Sequence, residues 1–128
     1  MELKSGLVGH ASTVVCESNT AAAVGSGALP VFSTPHMIAL MEGASMDAVA
    51  KCLEEGQGTV GTKVNIEHLA SSPIGAQIRA ESLLVEVDRK RLEFEVKAYA
   101  GDELIGKGSH QRFIVDSQRF MEKALAKK

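Results

Sequence analysis

The order of elements along the chain predicts an α+β fold, with a curved antiparallel β-sheet wrapped around one long central α-helix. Three observations carry this. A single helical segment of useful length occurs, over about residues 34–55. One strand-like run precedes it, and four follow it with only short turn signals between them. A lone apolar helix must bury its stripe and a single sheet must bury one face, so the economical arrangement wraps the sheet around the helix. At 128 residues the chain suits one domain, residues 1–128, rather than two.

Residues 8–16 read as a short strand. Residues 17–33 are rich in Gly, Ala and Ser, and Gly25-Ser26-Gly27 and Pro30 keep long regular structure out of them. The helix begins sharply, because Thr34 is suited to the N-cap and Pro35 to the first helical position. Gly56 and Gly58 stop it. In residues 59–69 alternation places Val60, Thr62, Val64, Ile66 and His68 on one face. Residues 75–87 put Ile78, Ala80, Ser82 and Leu84 on one face, with a bulge expected near Leu83-Leu84-Val85. Residues 91–100 bury Leu92, Phe94, Val96 and Ala98. Ala100-Gly101-Asp102 then turns the chain into a last strand, residues 103–115. Residues 116–127 read as a short terminal helix.

Composition excludes several function classes. Fourteen Lys and Arg against sixteen Asp and Glu give a net charge of −2, without the basic footprint of a nucleic-acid binder or a polybasic membrane helix. Cys16 and Cys52 are too few for a disulfide scaffold. No apolar run approaches the roughly 18 residues of a spanning helix, and the first residues lack a signal-peptide pattern. The expectation is a soluble cytoplasmic protein. A chain this short has little to spare for a deep lidded pocket, so an enzyme of this size is expected to share its pocket with a second subunit.

Two side chains stand out. On a helical wheel starting at Met37, Ile38, Val49, Leu53 and Met46 fall between about 100° and 180°, and Glu42 falls among them at about 140°. Either the stripe is narrower and Glu42 lies at its wet edge, or a carboxylate sits on an apolar face for a functional reason. His68 continues an inward strand face just before the loop Ala70-Ser71-Ser72-Pro73. It is either a satisfied core histidine or the rim of a pocket. A Glu and a His both displaced inward form a better functional signal together than apart. Thr34 is already accounted for as a helix cap. His10, His36 and His110 carry weaker signals, and Cys52 reads as a small core residue. Metal-ligand spacings, a serine nucleophile elbow, a phosphate loop and a dinucleotide fingerprint are all missing.

The arrangement resembles the hotdog fold, and its motifs are similar to those of the fluoroacetyl-CoA thioesterase-like group. The resemblance rests on Val31-Phe32-Ser33-Thr34-Pro35, Ala39-Leu40-Met41-Glu42-Gly43-Ala44, Gly58-Thr59-Val60-Gly61-Thr62, Val64-Asn65-Ile66-Glu67-His68 and Gly108-Ser109-His110-Gln111-Arg112. It covers about Gly6 to Phe120. It implies a catalytic set of Thr34, Glu42 and His68, with Gly61 offering its backbone N–H to the thioester and Arg112 as a further binding residue. The implied reaction is hydrolysis of a short acyl-CoA to carboxylic acid and free CoA. No metal or redox cofactor is implied, since CoA is part of the substrate.

The fluoroacetyl specialist places aromatic residues around its acyl pocket. Here the corresponding loop, Val24-Gly25-Ser26-Gly27-Ala28-Leu29-Pro30, carries none before Phe32, the remaining candidate for substrate contact. The resemblance therefore implies thioester hydrolysis more firmly than any one acyl group. Glu42 is read as general base or nucleophile, His68 as proton carrier, and Thr34 as hydrogen-bond partner or attacking hydroxyl. Thr34 and Glu42 lie roughly 12 Å apart along a helix axis, so a site using both spans two places or two subunits. The resemblance also implies a homodimer. Lys63, Arg79, Arg89, Lys90, Arg91 and Lys107 are candidate CoA-phosphate contacts, or simply a solvated strand face. Two other readings are a hotdog acyl-thioester hydratase or dehydratase, and a non-catalytic acyl-CoA binding module.

Overall fold

The structure, a computed structural model, describes residues 1–128. Its five strands are β1 (Val8–Val14), β2 (Gln57–His68), β3 (Gln77–Asp88), β4 (Arg91–Ala100) and β5 (Glu103–Asp116). All neighbours are antiparallel, in the order β1-β3-β4-β5-β2. The helices are α1 (Ala21–Val24), α2 (Thr34–Val49) and α3 (Ser117–Leu125). In a flat sheet the two edge strands would lie about 19 Å apart, nearly twice a helix diameter. Yet α2 packs against both β1 and β2, as well as β3 and β4. The sheet must therefore curl around the helix, the arrangement expected of a hotdog fold. No helix is long and apolar enough to cross a membrane.

The buried face of α2 is Met37, Met41, Ala44, Ser45, Ala48 and Val49. It meets Ile78, Ala80, Leu84, Leu92, Phe94, Val96, Ala98 and Ile105 from the sheet. This corrects the apolar stripe expected from the sequence: Met46 is 51% exposed, and Glu42 lies on the flank of the buried face. The physical reason is close approach. A β-carbon on Gly9 of β1 would collide with the α2 backbone at Ala44 and Ala48. Helix and strand touch through small residues there, and hydrophobicity alone does not mark small residues as core. Ser45 is buried because its hydroxyl bonds the Met41 carbonyl (2.9 Å) and pairs with Ser82 Oγ on β3 (2.8 Å).

The helix is shorter than expected, passing into a 3-10 turn at Ala50–Cys52 before Gly56. Cys52 is accordingly half-buried at the end of that turn rather than in the core. The expected bulge in β3 is present, with the register shifting between Leu84 and Glu86. A second bulge, between Gly61 and Lys63 of β2, was not expected. It changes which residues face inward. Gly61 lies opposite Arg112 and Thr59 opposite Ile114, while Val64, Ile66 and His68 lie opposite His110, Gly108 and Gly106. Val60 faces outward with Phe113, contrary to simple alternation.

Residues 15–33 hold only α1 and a 3-10 turn at Glu17–Asn19 as regular structure, but they are anchored. Val15 N–H bonds the Ala76 carbonyl, Gly75 N–H the Val15 carbonyl, Phe32 N–H the Ser72 carbonyl and Ser33 N–H the Asn19 carbonyl. These bonds seat the entry to α2 beside the loop that follows His68.

Candidate active site

That seating brings the first turn of α2 against the end of β2. Thr34 Oγ1 lies 2.7 Å from His68 Nδ1. Thr34 is free for this contact because it does not cap the helix. Ser33, which is fully buried, does so instead, accepting from the His36 N–H at 3.2 Å. The capping role expected of Thr34 is thus overturned by a one-residue shift. Burial pushes the His68 imidazole below its ordinary pKa, opposed by the nearby backbone of Ala70. His68 is therefore neutral at pH 7 and competent to accept the threonine proton. Its Nε2 is buried without a protein partner. Thr34, His68 and Phe32 line a cavity of ≈ 330 Å³ whose other walls include Ala21, Val31 and Ala70.

Glu42 sits two turns further along α2, in a second polar cluster. Arg112 Nη1 donates to Glu42 Oε2 at 3.1 Å, and His110 Nε2 lies 3.7 Å from the same oxygen. Arg112 is 5% exposed. Thr59 holds it twice more, its hydroxyl accepting from Nε at 2.8 Å and its carbonyl from Nη2 at 2.9 Å. Burial lowers the Arg112 pKa, and Glu42 opposes that shift by charge and hydrogen bond. Gly61 completes the cluster: a β-carbon there would stand 2.5 Å from Glu42 Oε2, so the carboxylate can stand where it does only against a glycine. The cluster presents a half-exposed carboxylate, fixed from behind by a buried cation, beside a backbone free of any side chain.

Two kinds of chemistry thus occur in one fold: a hydroxyl paired with a neutral imidazole, and a clamped carboxylate. A model of the fluoroacetyl-CoA-specific thioesterase family matches residues 15–118. The chain belongs to this family. A fluoroacetyl-CoA thioesterase from Streptantibioticus cattleyicolor is 36% identical over 97 residues, 76% of this chain and 70% of that protein. The solved structure of a variant fluoroacetyl-CoA-specific thioesterase in complex with fluoroacetate and CoA is 31% identical. The match covers 92% of this chain and 99% of that one, with a TM-score of 0.86. A thioesterase superfamily member from Thermus thermophilus is 28% identical over 97% of this chain and 90% of that one, with a TM-score of 0.85. The expected activity, hydrolysis of an acyl-CoA thioester, is that of the family.

For this thioesterase the residues singled out in the sequence fall into the two clusters. Thr34, His68 and Phe32 share one; Glu42, Gly61 and Arg112 share the other. Glu42 has neither Thr34 nor His68 among its polar partners. Arg112, expected as a binding residue, is buried and donates to Glu42. Sequence reasoning passed over Thr59 and gave His110 little weight. The available signal was on β5, where His110 and Arg112 are two residues apart and therefore point the same way, two polar side chains on a buried face. Among the basic candidates, Arg91 is engaged by Glu86, Asp88 and Glu93, Arg79 by Glu81, and Arg89 lies beside Asp88. Lys63 and Lys107 are exposed and have no carboxylate within 4 Å.

Proposed function

We propose that this thioesterase hydrolyses short-chain acyl-CoA with Thr34, Glu42 and His68 as its catalytic residues, as a cytoplasmic homodimer, with no metal or redox cofactor. The observation that carries the proposal is the uncapped Thr34 hydroxyl, held 2.7 Å from a neutral His68 on the wall of the ≈ 330 Å³ cavity. Water's oxygen joins the acyl carbon, the carbon–sulfur bond breaks, and the departing thiolate takes up a proton. Glu42 removes the proton from water, or attacks the carbonyl itself to give an anhydride that water then cleaves, restoring the carboxylate; His68, held by Thr34, relays the proton to the thiolate. Gly61, exposed and lacking a side chain, lets the thioester carbonyl approach the backbone. Fluoroacetate and CoA in the related complex support an acyl-CoA occupant.

Dimerisation is supported by the separation of the two clusters. Eight residues of α2 part Thr34 from Glu42, roughly 12 Å along the axis. The edge strand β2 has no neighbour on its far side, and Val64 on it and Met46 on α2 are 43% and 51% exposed. Two copies related by a two-fold axis along this edge would form two composite sites. The free thiols Cys16 and Cys52 suit a reducing compartment.

The test is release of free thiol from acetyl-, propionyl- and fluoroacetyl-CoA by the wild type and by Glu42→Ala. Thiol release lost in the variant is the expected result. Full activity in Glu42→Ala would remove Glu42 from the mechanism. Tight binding without thiol release would favour a binding module, and loss of the enoyl chromophore of a short enoyl-CoA added to the panel, without thiol release, a hydratase. A fully active monomer would refute the composite site.

A further inference from the structure

His110 is 2% exposed and has both ring nitrogens engaged. Its Nδ1 lies 2.8 Å from the Lys63 carbonyl, which can only accept, so Nδ1 carries the hydrogen. Its Nε2 lies 3.1 Å from Arg112 Nη1, which can only donate, so Nε2 presents its lone pair. These two contacts define one neutral tautomer. An imidazolium would turn an N–H against the guanidinium. Phe94, its partner on β4, stacks on the ring with centroids 6.2 Å apart. The charged groups facing the ring are Arg112 on β5 and Glu42 on α2, with Glu93 of β4 further away and engaged with Arg91.

The same Arg112 nitrogen that meets His110 also holds Glu42 Oε2. The carbonyl that His110 takes belongs to Lys63, at the β2 bulge that presents Gly61 to the same oxygen. One imidazole therefore braces both the cation behind the carboxylate and the strand irregularity in front of it.

We propose that His110 is a positioning residue for Glu42 that acts through Arg112, the Lys63 carbonyl holding the ring in the tautomer that accepts from Arg112. This rests on the reading of Glu42 as catalytic. His110 touches no substrate in this scheme; it sets the direction of the Arg112 Nη1 donor. Burial pushes the His110 imidazole below its ordinary pKa, reinforced by the Arg112 charge. The ring therefore stays an acceptor at neutral pH.

Three substitutions separate the two contacts. A glutamine oxygen reaches about where Nε2 stands and keeps the Arg112 bond. An asparagine amide reaches about where Nδ1 stands and keeps only the Lys63 bond. Phenylalanine keeps the ring and neither bond. His110→Gln is expected to retain kcat within about threefold, and His110→Asn and His110→Phe to lose about tenfold or more, with KM within about twofold. His110→Gln and His110→Asn should unfold at similar temperatures, so a structural defect would not produce that split. Equal kcat in His110→Gln and His110→Asn, or wild-type kcat in His110→Phe, would overturn the proposal. If His110→Phe fails to fold, the Gln and Asn pair still decides. Nitrogen NMR of the wild type should find the hydrogen on Nδ1 at pH 7; the opposite tautomer or an imidazolium would overturn the assignment independently of turnover. A wild type that cleaves no acyl-CoA would instead refute the functional reading and leave the NMR test standing.

Discussion

Replacing Gly61 by alanine separates what the site needs from what the fold needs. The added carbon would stand 2.5 Å from Glu42 Oε2, 3.2 Å from His110 Cε1 and 3.3 Å from Arg112 Nη1. The latter two contacts are relieved by shifts of a few tenths of an ångström. The first requires the carboxylate to retreat about 0.9 Å to reach ordinary contact at 3.4 Å. Glu42 can make that move, because its side chain is 37% exposed and ends in a flexible carboxylate. Gly61 does not have positive φ, so alanine adds no backbone strain. The stability cost is then a weakened charged hydrogen bond at a partly exposed site, about 1 kcal/mol. The cost to turnover is larger. With Glu42 in the role proposed for it, a displacement of nearly 1 Å costs about 100-fold, or about 2.7 kcal/mol of barrier. Thiol release and thermal unfolding measured on the same preparation should show kcat down about 100-fold and Tm down by no more than about 5 °C. Wild-type kcat in Gly61→Ala would show that the approach of Gly61 to Glu42 has no bearing on the reaction. A Tm loss beyond about 10 °C would show that the strand, not the carboxylate, had to give.

Three further outcomes follow from the same geometry. Thr34→Ala should leave Tm unchanged and lower kcat, with Thr34→Ser recovering much of it, whereas Ser33→Ala should cost about 1 kcal/mol through the lost cap, read from urea midpoints. Gly9→Ala should destabilise by about 3 kcal/mol or more, because its β-carbon meets the α2 backbone rather than a movable side chain; a stable variant would mean that helix and strand separate easily. Stability should also fall on acidification. Folded His110 has its pKa lowered by burial, so below about pH 6.5 the unfolded chain binds a proton that the folded chain refuses. The His110 contribution is complete above that pH and declines below it, at up to about 1.4 kcal/mol per pH unit until the folded ring protonates. His110→Gln should flatten that slope in urea titrations between pH 5 and 7; an unchanged slope would assign it elsewhere.

Much of the fold was legible because its signals are local. Leu92, Phe94, Val96 and Ala98 alternate cleanly and are buried, and Gly101 turns β4 into β5. The helix start was also legible, but only to within one residue, and that residue decides whether Thr34 caps the helix or meets His68. Ser33 and Thr34 are both good caps in sequence. What selects Ser33 is the bond from its N–H to the Asn19 carbonyl, a contact across the irregular segment that no periodicity records. The buried face of α2 was misplaced for a related reason: Ala44, Ser45 and Ala48 are core because Gly9 lets β1 come close. Thr34, Glu42 and His68 were named from the sequence, but their division into two clusters depends on tertiary contacts. Thr59 and His110 matter only through Arg112, so no motif read singly would have promoted them.

The bulge in β2 accounts for the largest miss in the site and explains why it had to be there. Gly61 and His68 are seven residues apart, an odd number, so a regular strand would send them to opposite faces. On β5 the facing residues keep strict alternation, since His110 and Arg112 are both inward. Their partners on β2 are Val64 and Gly61, three residues apart facing two. The extra residue, Thr62, is held by its own bonds to the Gln111 carbonyl and side chain (3.2 and 2.9 Å). In an unbroken antiparallel ladder carbonyls lie in the plane of the sheet and bond the neighbouring strand. At the bulge, where the register shifts, the Lys63 carbonyl accepts from the His110 side chain. The irregularity therefore supplies three things together: Gly61 and His68 on the same inner face, an acceptor that fixes the His110 tautomer, and through His110 the orientation of the arginine behind Glu42. The helix carries the carboxylate, but the break in the strand fixes where that carboxylate can stand.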